Sequence, residues 1–170
     1  TIRGFRITDS ANVLLHDLYI GFASSEEGAC DHGLVGVELS QATATLSDSD
    51  IICVGFTSGN GGTGVLAQTN SSLEVSGTLI NGVGSFGIRV IDSSLSVDDT
   101  ELSGINRPSG AQSFESDGTA IYVEQATEEI LVSNTNISNG SFVGLWIEGP
   151  GVTVTDSSFA NFAYGVYHPG

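Results

Sequence analysis

The stretch Gly87–Leu102, GIRVIDSSLSVDDTEL, decides the fold. Its apolar residues form two alternating pairs, Ile88/Val90 and Leu95/Val97, and Leu102 follows five positions after the second pair. Alternation puts every second residue on one face of a strand. The Asp-Ser-Ser and Asp-Asp-Thr breaks between these runs carry turn chemistry.

Working outward, the same unit recurs six times. The first pairs are Phe5/Ile7, Val37/Leu39, Val65/Ala67, Ile88/Val90, Ile121/Val123 and Leu145/Ile147. The second pairs are Val13/Leu15, Ala44/Leu46, Leu73/Val75, Leu95/Val97, Ile130/Val132 and Val152/Val154. Ile20, Ile51, Ile80, Leu102, Ile137 and Phe159 trail them, and the five-residue step to this last residue holds in every unit. A glycine precedes the first pair at Gly4, Gly36, Gly64, Gly87 and Gly144, with Ala120 the exception. Two positions after the second pair stand Asp17, Asp48, Gly77, Asp99, Asn134 and Asp156, residue types that tolerate left-handed backbone at a sharp corner. Each unit reads as three short strands whose apolar residues stay unburied until the units stack, about 4.8 Å apart.

This repeat resembles the right-handed parallel β-helix superfamily, the fold of pectate lyases, polygalacturonases, phage tailspikes and many bacterial surface proteins. The resemblance spans essentially the whole chain, from Gly4 to about Tyr167. It implies an all-β solenoid of about six rungs, roughly 29 Å long. A β-sandwich is the alternative, but it would not enforce the five-residue step or the corner column. The 170 residues are expected to form one domain, a segment of a longer protein with flanking domains. A further rung is read as starting at Val166.

The trailing residues are spaced 31, 29, 22, 35 and 22 apart, so the basic rung is about 22 residues and three rungs carry extra length. The extra residues enter at one corner, within Phe22–Gly33, Val54–Thr63 and Gly104–Thr119. Loops gathered along one edge of a solenoid commonly form its functional edge. Beside that edge, the outward residues of the first strand are Arg6, Glu38, Leu66, Arg89, Tyr122, Trp146 and Tyr167. Tyr122, Trp146 and Tyr167 are expected to form an exposed aromatic stripe that stacks sugar rings, with Arg89 and Arg107 close by. The competing expectation is that the Gly104–Thr119 loop covers Tyr122 and Trp146 as a satellite core.

Four Lys+Arg, all of them Arg, against 20 Asp+Glu give a net charge of −16. That balance argues against nucleic acid, whose phosphates require a basic surface. No apolar run approaches the roughly 20 residues of a membrane span. Cys30 and Cys53 either pair in an oxidising compartment or leave Cys53 as a buried thiol. The overall expectation is a secreted or cell-surface module that binds carbohydrate or another surface through its loop edge and aromatic stripe.

The superfamily's enzymes imply two chemistries to test. The polygalacturonase pattern needs Asn-Thr-Asp, paired-Asp, His-Gly and Arg-Ile-Lys elements in that order. Here Asn134-Thr135-Asn136 follows Asp98-Asp99, His32-Gly33 precedes both, and there is no lysine, so the assignment fails. A β-elimination lyase would need only Arg89 or Arg107 with a few acids. It remains the alternative to a non-catalytic binding module, and a structural spacer is the third. His16 and His168 have no nucleophile or metal partner at a recognisable spacing. No catalytic residue, metal ligand or cofactor is therefore assigned. A structural Ca²⁺ on the Asp column stays open, because carboxylates suit that ion. Three glycosylation sequons begin at Asn70, Asn136 and Asn139, a pattern that Ser/Asn-rich turns generate freely.

Overall fold

A computed structural model describes residues 3–21, 35–55, 61–107, 117–149 and 151–168. The first rung comprises β1 (Arg3–Thr8), β2 (Val13–His16) and β3 (Tyr19–Gly21). The second is β4 (Val35–Ser40), β5 (Thr43–Ser47) and β6 (Asp50–Val54), and the third is β7 (Thr63–Gln68), β8 (Ser72–Ser76) and β9 (Leu79–Val83). The fourth is β10 (Phe86–Ile91), β11 (Ser94–Asp98) and β12 (Glu101–Ser103), and the fifth is β13 (Thr119–Glu124), β14 (Ile130–Ser133) and β15 (Asn136–Ser138). The sixth is β16 (Val143–Glu148), β17 (Val152–Thr155) and β18 (Ser158–Ala160), after which β19 (Tyr164–Tyr167) opens another turn.

Each strand pairs in parallel with its counterpart in the next rung. The first strands form a seven-stranded sheet and the second and third strands form two six-stranded sheets. This is a parallel β-helix with three strands per rung. A sandwich of antiparallel sheets is incompatible with that order. The read columns are the observed columns: Val37, Val65, Ile88, Ile121 and Leu145 stand in register, as do Ile20, Ile51, Ile80, Leu102, Ile137 and Phe159. In the middle rungs these side chains are fully buried, whereas Phe5 and Val166 in the outermost turns are 42% and 51% exposed. Burying one such aliphatic side chain contributes about 1.5–3 kcal/mol, so the interior columns supply the main driving force.

Corner geometry follows the residue types. Asp17, Asp48, Gly77, Asp99, Asn134 and Asp156 all have φ between 44° and 54°. The backbone N–H groups of the first five donate to the next rung, as in Asp48 N to Ser76 O at 3.0 Å and Asn134 N to Thr155 O at 3.2 Å. Two further left-handed columns were not foreseen. Asp9, Gln41, Thr69, Asp92 and Gln125 line the corner between first and second strands, and Cys53, Gly82, Gly104, Asn139 and Asn161 stand near the end of the third, the first two inside β6 and β9 and the others just after their strands. Gln, Thr and Cys are not types that announce left-handed backbone; the inter-rung ladder imposes it on them.

Hydroxyls form a ladder of their own. Ser49, Thr78, Thr100, Thr135 and Ser157 each donate to the carbonyl two residues earlier, at 2.7–2.9 Å. All but Ser157 are buried, and their polar groups are thereby satisfied. The glycine column has a different origin. A Cβ on Gly36, Gly64, Gly87 or Gly144 would stand 2.6 Å from a carbonyl oxygen of the following rung. It would also meet the trailing side chain of its own rung, such as Ile51 or Ile80 at 3.0 Å.

The long connections fall where expected, between the third strand and the next first strand, at 22–34, 55–62 and 104–118. Much of each lies outside the described residues. Cys53 is half-buried and disulfide-bonded. Cys30, the chain's other cysteine, lies outside the described residues.

Candidate binding surface

The outward residues of the seven-stranded sheet stand in one register: Arg6, Glu38, Leu66, Arg89, Tyr122, Trp146 and Tyr167. The column changes character along its length. At one end Arg6 lies 3.7 Å from the buried Glu38, whose Oε1 also accepts from Gln68 Nε2 at 3.3 Å. At the other end the column is aromatic.

That aromatic end is larger than three residues, because Phe86, Phe142 and Tyr164 join it. Phe86 packs on Tyr122 at 5.2 Å between centroids, and Tyr122 on Trp146 at 5.9 Å. Four rings then close a circuit. Phe142 meets Trp146 at 5.9 Å, Trp146 meets Tyr167 at 4.5 Å, Tyr167 meets Tyr164 at 6.0 Å, and Tyr164 meets Phe142 edge-on at 5.9 Å. Such tilted and edge contacts are the preferred geometry of aromatic pairs. Phe86 and Tyr164 each directly precede a glycine of the column position, Gly87 and Gly165, and that placement was the available sequence signal.

Two features of the expected stripe need correction. Tyr122 is only 8% exposed, enclosed with Phe86, Arg89 and Trp146 around it, so it belongs to the packing rather than to an open face. The rings along the column are also tilted by 45° and 53° to one another rather than laid flat. The accessible part is confined to the last two turns. There Phe142, Trp146, Tyr164, Tyr167 and Arg107 line an open pocket of about 330 Å³. That volume is near the lower bound of small-ligand sites, about 300–1,000 Å³.

Charge around the cluster is mixed. The Arg89 guanidinium carbon sits over the Phe86 and Tyr122 rings at 5.1 and 5.6 Å, and Arg89 Nη2 approaches Glu124 at 3.8 Å. Trp146 Nε1 donates to Glu148 at 2.9 Å. Burial, helped by the nearby Glu148 and Glu124 carboxylates, pushes the Tyr122 phenol above its ordinary value of 10.0. Arg107 is carried on the long corner, where its backbone N–H donates to Ser141 Oγ at 2.7 Å.

Asp98 projects from the second strand and accepts from Ser133 Oγ at 2.6 Å and Asn134 Nδ2 at 2.9 Å. These bonds, the Ser133 hydroxyl first, hold its carboxyl below the usual 3.8. Its neighbour Asp99 instead occupies the corner column. His16 contacts Ser47 Oγ at 3.0 Å and Asp48 at 3.3 Å on the exposed second-strand face. Among the described residues, no group of three or more His, Cys, Asp or Glu side chains is placed to hold a metal ion. No helix among them is long and apolar enough to cross a membrane.

No protein-family model, no curated protein and no solved structure matches this chain.

Proposed function

We propose that this chain is a secreted or cell-surface binding module, non-catalytic by itself, that takes carbohydrate at the aromatic end of its seven-stranded sheet. The observation that carries this reading is the pocket formed by Phe142, Trp146, Tyr164, Tyr167 and Arg107. Aromatic faces receive the C–H faces of a sugar ring, and a few polar groups at the rim fix its orientation. The disulfide at Cys53 supports an oxidising, extracytoplasmic setting.

The elimination-enzyme reading finds less support. Arg89, one of its two candidate bases, is already stacked on two rings and paired with Glu124.

The test is an array of neutral and acidic polysaccharides probed with the wild-type chain and with Trp146→Ala, Tyr164→Ala and Tyr167→Ala. Loss of a central aromatic anchor is expected to weaken binding about tenfold. Binding unchanged in all three variants would place the ligand elsewhere. Failure to bind any glycan would leave the spacer reading. New reducing ends or unsaturated products from the same polysaccharides would establish the enzyme reading instead.

A further inference from the structure

We propose that Asn70, at the corner between β7 and β8, is an N-glycosylation site, and that the sequons at Asn136 and Asn139 are not. This rests on the reading of the chain as a secreted or cell-surface protein. It adds a covalent modification that the binding reading does not require.

The three candidate acceptors are Asn70-Ser71-Ser72, Asn136-Ile137-Ser138 and Asn139-Gly140-Ser141. An acceptor sequon uses the amide of its Asn and the hydroxyl two residues on, and its product has to lie on the surface. The structure separates the three on these grounds. Asn70 and Ser72 are both exposed, and neither side chain makes a hydrogen bond to a described residue. The other two sequons are tied into the stack. Asn136 Oδ1 accepts from Ser158 Oγ at 2.8 Å, and Ser138 Oγ accepts from Asn139 Nδ2 at 3.3 Å. Asn139 Oδ1 accepts from Asn161 Nδ2 at 2.8 Å, and Ser141 Oγ accepts from the backbone N–H of Arg107 at 2.7 Å.

Corner geometry supplies the second argument. Leu73 follows Ala67 by six positions, whereas the matching steps in the rungs on either side, Leu39 to Ala44 and Val90 to Leu95, are five. The extra residue is taken up by two consecutive left-handed residues, Thr69 and Asn70, with φ of 58° and 55°. Their backbone stays in the ladder: Gln41 N donates to Thr69 O at 3.1 Å, and Asn70 N donates to Asp92 O at 2.7 Å. A longer corner between two shorter ones stands out from the stack, so a bulky group on Asn70 Nδ2 has room above and below it. This rung has neighbours on both sides, so its exposure owes nothing to either end of the chain. It also lies at the edge of the seven-stranded sheet away from the long connections, because β7 runs from the 55–62 connection to this corner.

Attachment joins Asn70 Nδ2 to the anomeric carbon of a sugar carried on a lipid phosphate. The sugar–phosphate bond breaks, the phosphate leaves with its lipid, and the displaced amide proton goes to solvent.

The test is to produce the full chain behind an export leader in a eukaryotic secretory cell and collect it from the medium. Enzymatic release of N-glycans in ¹⁸O water converts each occupied Asn to a heavy Asp, which peptide mass spectrometry locates. The label is expected at Asn70 and at neither Asn136 nor Asn139. Asn70→Gln and Ser72→Ala should each remove the glycan's shift in gel mobility, whereas Ser72→Thr, Asn136→Gln and Asn139→Gln should keep it. Retention in Ser72→Thr shows that loss in Ser72→Ala reflects the hydroxyl rather than damage to the fold. A secreted chain unlabelled at Asn70, or labelled at Asn136 or Asn139, would overturn the proposal. If that chain still binds glycans in the array, this inference alone falls and the binding reading stands.

Discussion

Gly64→Ala tests the stacking of rungs in the middle of the glycine column. A Cβ at Gly64 would stand 2.6 Å from the Gly87 oxygen and 3.0 Å from Ile80 Cγ2. Ordinary contact begins near 3.4 Å, so the carbonyl must retreat by about 0.8 Å. That carbonyl is backbone between two ladder positions, Phe86 paired with Thr63 and Ile88 with Val65, and cannot swing aside alone. Overpacking of this kind costs about 1–3 kcal/mol. The narrower unfolded ensemble of alanine returns about 0.4–1 kcal/mol, leaving a net loss of about 0–2.6 kcal/mol. For a chain of this size each kcal/mol moves Tm by about 2–4 °C, so Gly64→Ala should melt up to about 10 °C lower. Gly151→Ala is the matched control, since an added Cβ there meets nothing within 4 Å. Amide hydrogen exchange should show faster opening in β7 and β10 and little change in rungs further away, because each rung touches only its neighbours. A Gly64→Ala protein as stable as the Gly151→Ala control would refute the view that steric contact between rungs selects this glycine column.

Two other outcomes follow from groups already described. The Tyr122 phenol has a folded-state pKa above its unfolded value, so its contribution to stability is complete below about pH 10 and is lost as pH rises through the folded value; Tyr122→Phe should flatten the alkaline fall in Tm and remove the last phenolate step at 295 nm. Reducing the disulfide at Cys53 should lower stability by about 2–4 kcal/mol, read as a drop in the denaturant midpoint, and an unchanged midpoint would mean the bond restrains nothing the fold depends on.

The rungs were legible because burial acts on every unit in the same way. Ile51, Ile80, Leu102 and Ile137 recur at one position since each rests on the next, and one alternating pattern repeated six times is hard to misread. The Asp and Asn corner was legible for a local reason: those side chains tolerate left-handed backbone without help from neighbours. Gln41, Thr69, Gln125 and Cys53 adopt the same conformation under pressure from the stack, and nothing in their own chemistry signals it. The site was only half visible. Register placed Tyr122, Trp146 and Tyr167 on one line, but exposure depends on what lies across the strand as well as along it. Phe86 approaches from the flank and helps to enclose Tyr122, while Phe142 and Tyr164 turn the end of an expected flat track into a cup.

The outward column of the seven-stranded sheet also works as a ruler. Glu38, held beside Arg6, and Trp146, at the aromatic cup, are four rungs apart along it, about 19 Å at the usual inter-strand spacing. Inserting or deleting one 22-residue rung would shift that distance by a single step of about 4.8 Å, leaving both ends chemically unchanged. The separation between a charged contact and an aromatic one is thus written in whole numbers of repeats, a quantity that duplication can adjust without redesigning either end.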